Sequence, residues 1–186
     1  MNGWFQFVSP ESNLQQGDIL FQCPVFFPNP EIDYAQLSNP AEVSFELKLK
    51  DVIVMTQSCD IQQGKPLMSV LLCPIAGLEQ VAKDGQLANL VSDRINNMHL
   101  LNKHDSKEGS IDYKIIDFSQ VYTVPLGVLK NWKSAKTERI PRLLSPYTEH
   151  MSQRFGIKMM RVGTDDNLKV NLDELRARWN ELKPPK

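Results

Sequence analysis

The sequence predicts an α+β protein, mainly β, in one domain that ends in a helical extension. Three observations carry this. Apolar runs and period-2 alternation recur between residues 18 and 77 and again between 111 and 129. Helical spacing dominates after residue 144. A chain of 186 residues with 41% hydrophobic and 23% charged residues is long and apolar enough to bury a single core. The expected boundaries are a β-rich body over 1–129, with a helical insertion near 78–102, and a helical extension over 130–186 packed on it in the same domain.

The opening WFQF reads as an apolar anchor, and SPESNLQQGD as a loop whose Gly17-Asp18 turn launches the strand DILFQCPVFF. Pro24 has no N–H to give to a ladder, so that strand is an edge or is bulged there. The three-proline segment over 28–40 is a polar surface loop. In SFELKLK, Phe45, Leu47 and Leu49 alternate with Glu46, Lys48 and Lys50, the signature of a strand with one wet face. The adjoining VIVM is apolar throughout and predicts a central strand covered on both faces. MSVLLCPI is another strand of that kind. From Leu78 to Asn102 the spacing suggests one or two short helices interrupted by Gly85. NKHDSKEGS is a polar turn, and IDYKIIDFSQVYTVPLGVL supplies two more strands with Asp117 and Ser119 near the break.

In the C-terminal third, Ser145 and Pro146 predict an N-cap followed by proline at the first helical position. Leu144, Tyr147, Met151, Phe155 and Met159 then form a buried face, and His150, Arg154, Lys158 and Arg161 a neighbouring basic one. In NLDELRARWNELK, Asn171 caps a last helix with Glu174 at its third position and Leu172, Leu175, Trp179 and Leu182 as its apolar stripe.

Charge is unevenly placed. Residues 1–93 hold 4 Lys+Arg against 11 Asp+Glu and residues 94–186 hold 17 against 11, so the halves carry −7 and +6. Such halves dock on each other, make a dipole, or present a basic face to phosphates. Three cysteines without close pairing argue against a secreted disulfide framework. The start MNGWFQFVSP lacks the pattern of a signal peptide, and no stretch approaches the roughly 18 apolar residues that span a bilayer. A cytoplasmic protein without membrane contact is expected.

Two candidate sites follow. The strand VIVM ends in Thr56, Gln57, Ser58, Cys59 and Asp60, a polar cluster at a sheet rim where ligands approach. Cys59 would be a nucleophile if a base lowered its pKa, with His99, His104 and His150 as possible partners; its alternative is an inert small residue. Asp60 is equally a cap for the following turn. Cys23, Cys59, Cys73 and a histidine lack the close pairs typical of zinc sites, so no metal or other cofactor is expected. The second candidate is the basic face, where Arg142, Arg154, Lys158 and Arg161, interleaved with Trp132, Tyr147 and Phe155, would track a phosphate backbone and stack on bases. The alternative is a solvated face that also pairs with the acidic half.

Gly17-Asp18-Ile19, the strand from Val52 to Thr56 and the stretch from Val70 to Ile75 resemble the PemK/MazF-like toxin family over residues 17–77. The resemblance implies a small, partly open SH3-like barrel and cleavage of single-stranded RNA by a dimer. Lys50-Asp51 and Ala76-Gly77 stand where the family has Arg-Pro and a Thr or Ser that handle phosphate, so the activity does not transfer with the barrel. Two functions are therefore expected. One is a nucleic-acid-directed module, in its strongest form a metal-independent endoribonuclease in which Thr56, Ser58 and Asp60 activate the 2′-hydroxyl. The other is a non-catalytic adaptor holding a protein or small ligand at the Thr56–Asp60 rim. A homodimer is compatible with both.

Overall fold

The computed structural model describes residues 3–28, 45–63, 68–81 and 86–160. The order of elements is β1 (Phe5–Val8), β2 (Ile19–Pro28), β3 (Phe45–Val54), α1 (Ser58–Gln62), β4 (Ser69–Gly77), α2 (Leu78–Val81), α3 (Leu87–Val91), β5 (Met98–Leu101), β6 (His104–Ser106), β7 (Gly109–Ile111), β8 (Lys114–Asp117), β9 (Tyr122–Pro125), α4 (Leu126–Ser134), β10 (Ile140–Leu143) and α5 (Tyr147–Met159). Strand outweighs helix among the described residues, and the fold is mixed α+β. The sheets stay open. β2, β3, β4, β8 and β5 lie in that order in one antiparallel sheet, and β9 adds to β4. β1 pairs with β10, and β6 with β7, as separate two-stranded sheets. None of the helices among the described residues is long and apolar enough to cross a membrane.

The apolar run of β3 is central, as its lack of alternation predicts. Val52, Ile53 and Val54 are fully buried, with β2 on one edge and β4 on the other. Removing each such side chain from water contributes roughly 1.5–3 kcal/mol. The first half of β3 is different: Phe45, Leu47 and Leu49 are exposed, so the expected half-covered face is open on both sides. The reason is pairing. β4 reaches only Val52–Val54, and among the described residues, residues 45–50 pair with β2 alone as a two-stranded ribbon. β2 is the edge strand that Pro24 requires, and its register slips between Leu20 and Cys23, where Gln22 takes a positive φ of 55°. The Gln22 N–H and Nε2 both donate to Asp51 Oδ1, which holds the bulge.

Other expectations shift locally. The helical insertion ends at Val91, and Met98–Leu101 is the strand β5 beside β8. The polar tract over 102–110 holds the β6–β7 hairpin rather than a simple turn. LGVL opens α4 instead of ending a strand, because Leu126 and Leu129 find a core to fill. α5 begins at Tyr147 with Pro146 at the cap, and its cap has no side-chain hydrogen bond, so Ser145 does not cap it. Met151 is the fully buried residue of its apolar face, whereas Met159 is exposed. The loop over 29–40 and the expected helix over 171–183 lie outside the described residues.

The two-stranded sheet joins the large one at Gly17-Asp18. Gly17 N–H donates to Val54 O, Val54 N–H donates to Asp18 O, and Leu143 N–H donates to Gly17 O. Gly17 has φ +84°, and a Cβ there would stand 3.0 Å from Leu143 Cβ, so glycine is required on both counts. Asp18 is wholly buried and Arg142 nearly so. Arg142 Nε donates to Asp18 Oδ1 at 2.5 Å and its NH2 to Asp18 Oδ2 at 3.0 Å and to Asn13 O at 2.7 Å. Cutting one member from a buried pair leaves the other charge unsolvated, which costs about 3–5 kcal/mol. Arg142→Ala is therefore expected to lower the free energy of urea unfolding, followed by circular dichroism, by about that amount, with much of it regained in Asp18→Leu/Arg142→Met. A loss below about 1 kcal/mol, typical of a surface pair, would mean the junction does not depend on it.

Candidate functional site

The polar end of β3 is held by its own fold. Thr56 Oγ1 accepts Leu71 N–H at 2.7 Å, extending the β3–β4 pairing by a side chain. Ser58 Oγ accepts Gln16 N–H at 3.1 Å, and Gln16 Nε2 donates to Met55 O and to Ser152 Oγ on α5. The Thr56 hydroxyl thus fastens the corner to β4, and the Ser58 hydroxyl fastens it to the loop before β2. Cys59 and Asp60 are exposed at the start of α1; the Cys59 thiol meets Gln57 Oε1 and Asp60 Oδ1 only at 3.7 and 3.9 Å. Of the three histidines, His99 and His150 lie on Asp93, and His104 lies beside Phe5 and Phe7. Cys23 and Cys73 sit in two different core clusters, far from the convergence a Cys₃His site needs.

The basic face is largely spent inside the molecule. Arg142 is buried on Asp18, which leaves its guanidinium no access to a phosphate. Arg154 donates to Asp93 O at 2.6 Å, and its Nε lies 3.6 Å from Asp93 Oδ1. Lys133 is buried with Nζ donating to Pro10 O and to Ser12 O, and burial lowers its pKa. Lys158 stays half-buried at the end of α5, Lys136 lies over the Trp132 ring, and Arg161 is outside the described residues.

Asp93 is where these interactions gather. It follows α3 in the left-handed conformation (φ 53°), which a short polar side chain tolerates better than most, and its N–H donates to Leu90 O. Its Oδ1 lies 3.3 Å from His99 Nδ1 and its Oδ2 3.2 Å from His150 Nε2. His150 and Arg154 stand one helical turn apart on α5, so both reach the same carboxylate. His99, on β5, is 2% exposed; His150 is 45% exposed at the side chain. Burial pushes the His99 pKa down, against the pull of Asp93. A carboxylate only accepts, so neutral His99 donates from Nδ1, and its buried Nε2 has no hydrogen-bond partner among the described residues.

Around this cluster opens a cavity of about 400 Å³, lined by Trp4, Leu90, Val91, Asp93, His99, Leu100, Asn102, Tyr113, Tyr147 and His150. Trp4 and Tyr147 stack at 4.0 Å, so the chain's first strand region meets α5 at its wall. Phe118 stacks against His99 and meets Phe155 edge-on, packing the far side of the ring. The cavity lies within the range that binds small ligands, and none of its lining comes from residues 56–60. The sequence reading named His150 and Arg154 but not Asp93, and His99 only as a partner for Cys59. The visible signal was the one-turn spacing of His150 and Arg154; their shared acidic partner had none.

The site chemistry fixes which thiol reacts. Burial pushes the Cys23 and Cys73 thiols up to about 12, while Cys59 is exposed. The thiolate is the reactive form. Titrating the folded protein with a chromogenic disulfide at neutral pH is expected to release one equivalent promptly, lost in Cys59→Ser, and three after denaturation; two prompt equivalents would contradict the buried placement. No protein-family model matches the chain and no curated protein sequence matches it.

Proposed function

We propose that this protein is a nucleic-acid-directed binding module that takes a base-bearing ligand, a nucleotide free or within a single strand, in the Asp93–His150 cavity. The observation that carries this is the cavity wall, where Trp4, Tyr113 and Tyr147 stand with Asn102, Asp93 and His150. Aromatic side chains stack on any base, and an amide, a carboxylate and an imidazole read its hydrogen-bonding edge. Lys103, 5.8 Å above the Tyr113 ring, supplies a cation at this wall for a phosphate.

The relation to the PemK/MazF-like toxins, with its SH3-like barrel, stays part of this proposal on the residue pattern over 17–77 alone. Cleavage gains less support. Attack by a 2′-hydroxyl needs a base and a cation over the developing phosphorane charge. Arg142 and Arg154 are engaged within the fold, and Thr56 and Ser58 serve as acceptors for backbone N–H groups. The alternative, a non-catalytic adaptor that holds a protein or small ligand at the Thr56–Asp60 rim, has Cys59 and Asp60 exposed there to meet it.

Titrating the full chain with the four ribonucleotides and with short single-stranded RNA at low salt, read by calorimetry, tests the proposal. Binding is expected, with Tyr113→Ala losing about 1–3 kcal/mol, the worth of one stacked base, and RNA affinity falling as salt rises. Absence of binding at low salt sinks the nucleic-acid proposal and favours the adaptor.

A further inference from the structure

We propose that Asp93, His99 and His150 bind one divalent transition-metal ion of the zinc class at the floor of this cavity, a step that rests on the cavity being the ligand site. Among the described residues this is the group of three metal-capable side chains whose ligand atoms all lie within 4.8 Å of one another. Ligands about 2.0–2.2 Å from a tetrahedral ion stand about 3.3 Å apart. Asp93 and His99 are already 3.3 Å apart, and Asp93 and His150 3.2 Å. These distances run to the two oxygens of the carboxylate, Oδ1 and Oδ2, so seating one ion needs the widest spacing of the group, within 4.8 Å, to close toward about 3.3 Å.

Two imidazoles and one carboxylate are borderline donors suited to zinc and its first-row neighbours rather than to magnesium or calcium. Three protein ligands leave a fourth position open, and the cavity lies beside it. Two features set this cluster apart from a purely structural ion pair. His99 is 2% exposed, so its Nδ1, 3.3 Å from Asp93 Oδ1, is a ligand atom already taken out of water and aimed at the carboxylate. His150, by contrast, is open to solvent, which gives an ion a way in. Arg154 has a buried Nε with no hydrogen-bond partner among the described residues, in an ion pair 3.6 Å from Asp93 Oδ1. It is placed to hold the carboxylate in position once the ligand atoms turn to a metal.

The test uses the full chain, stripped with a chelator and dialysed, then titrated with Zn²⁺ against a chromophoric chelator and with Co²⁺ by visible absorption. The expected result is one equivalent per chain, with the intense visible bands of four-coordinate Co²⁺. His150→Ala is expected to weaken binding at least about tenfold, and Cys59→Ser to leave it unchanged. His150 is exposed, so its loss should spare the fold, which circular dichroism checks. Asp93→Asn, which keeps a residue tolerant of the left-handed backbone, is the second variant, with the same expected loss. No stoichiometric binding, binding unchanged in both variants, or binding lost in Cys59→Ser would overturn the proposal. The nucleotide titration is repeated on the stripped protein. Nucleotide binding there without metal binding sinks the metal and spares the cavity, and metal binding without nucleotide binding does the reverse.

Discussion

The buried pairing of Arg142 with Asp18 is the constraint on which the rest of the structure depends. It sits where Gly17-Asp18 hydrogen-bonds to β3 on one side and to β10 on the other, so one side-chain pair locks two sheets at their only shared corner among the described residues. β10 leads directly into α5, and α5 carries Tyr147, His150 and Arg154 to the cavity. A small displacement at the corner would be passed along α5 to the imidazole at its second turn. Gln16, bonded to both Met55 and Ser152, fastens the same corner to the helix from its other face.

The uneven charge of the two halves finds its outlet inside the fold. Acidic residues of the first half, Asp18 and Asp93, meet Arg142, His150 and Arg154 of the second, and Lys133 is wrapped by carbonyls of residues 9–12. Docking of the halves thus uses cations that would otherwise make a phosphate-binding face. Burying charge is costly unless it is paired, so each of these contacts fixes geometry more than it adds stability. At Asp93 the same logic yields a site: a backbone held in an uncommon conformation places one carboxylate between two imidazoles and a guanidinium, one of the imidazoles open to a cavity.

How much of this was legible in the sequence depended on the range of the physics. The central strand was readable because Val52 to Val54 are apolar at every position, and the edge character of β2 because Pro24 lacks a donor. Alternation marked residues 45–50 as a strand but could not show that Phe45, Leu47 and Leu49 stay exposed, since that depends on where β4 ends. Arg142 looked like a phosphate ligand because its partner is 124 residues away. The four residues of β10 were too few, and too polar at Arg142, to announce a strand. The spacing of His150 and Arg154 was local and therefore visible; that they converge on Asp93, 61 residues before Arg154, is a property of the tertiary fold alone.

Asp93 holds the His99 and His150 rings against one another, with centroids 5.0 Å apart and planes perpendicular. Imidazole NMR on selectively labelled histidine tests this most directly. The account predicts cross-relaxation between the His99 and His150 rings and from His99 to Phe118, with the contact between the two imidazoles lost in Asp93→Ala while the His104 signals stay put. Two independent histidine rings in the unmodified protein, with no mutual contact and no response to Asp93→Ala, would contradict it.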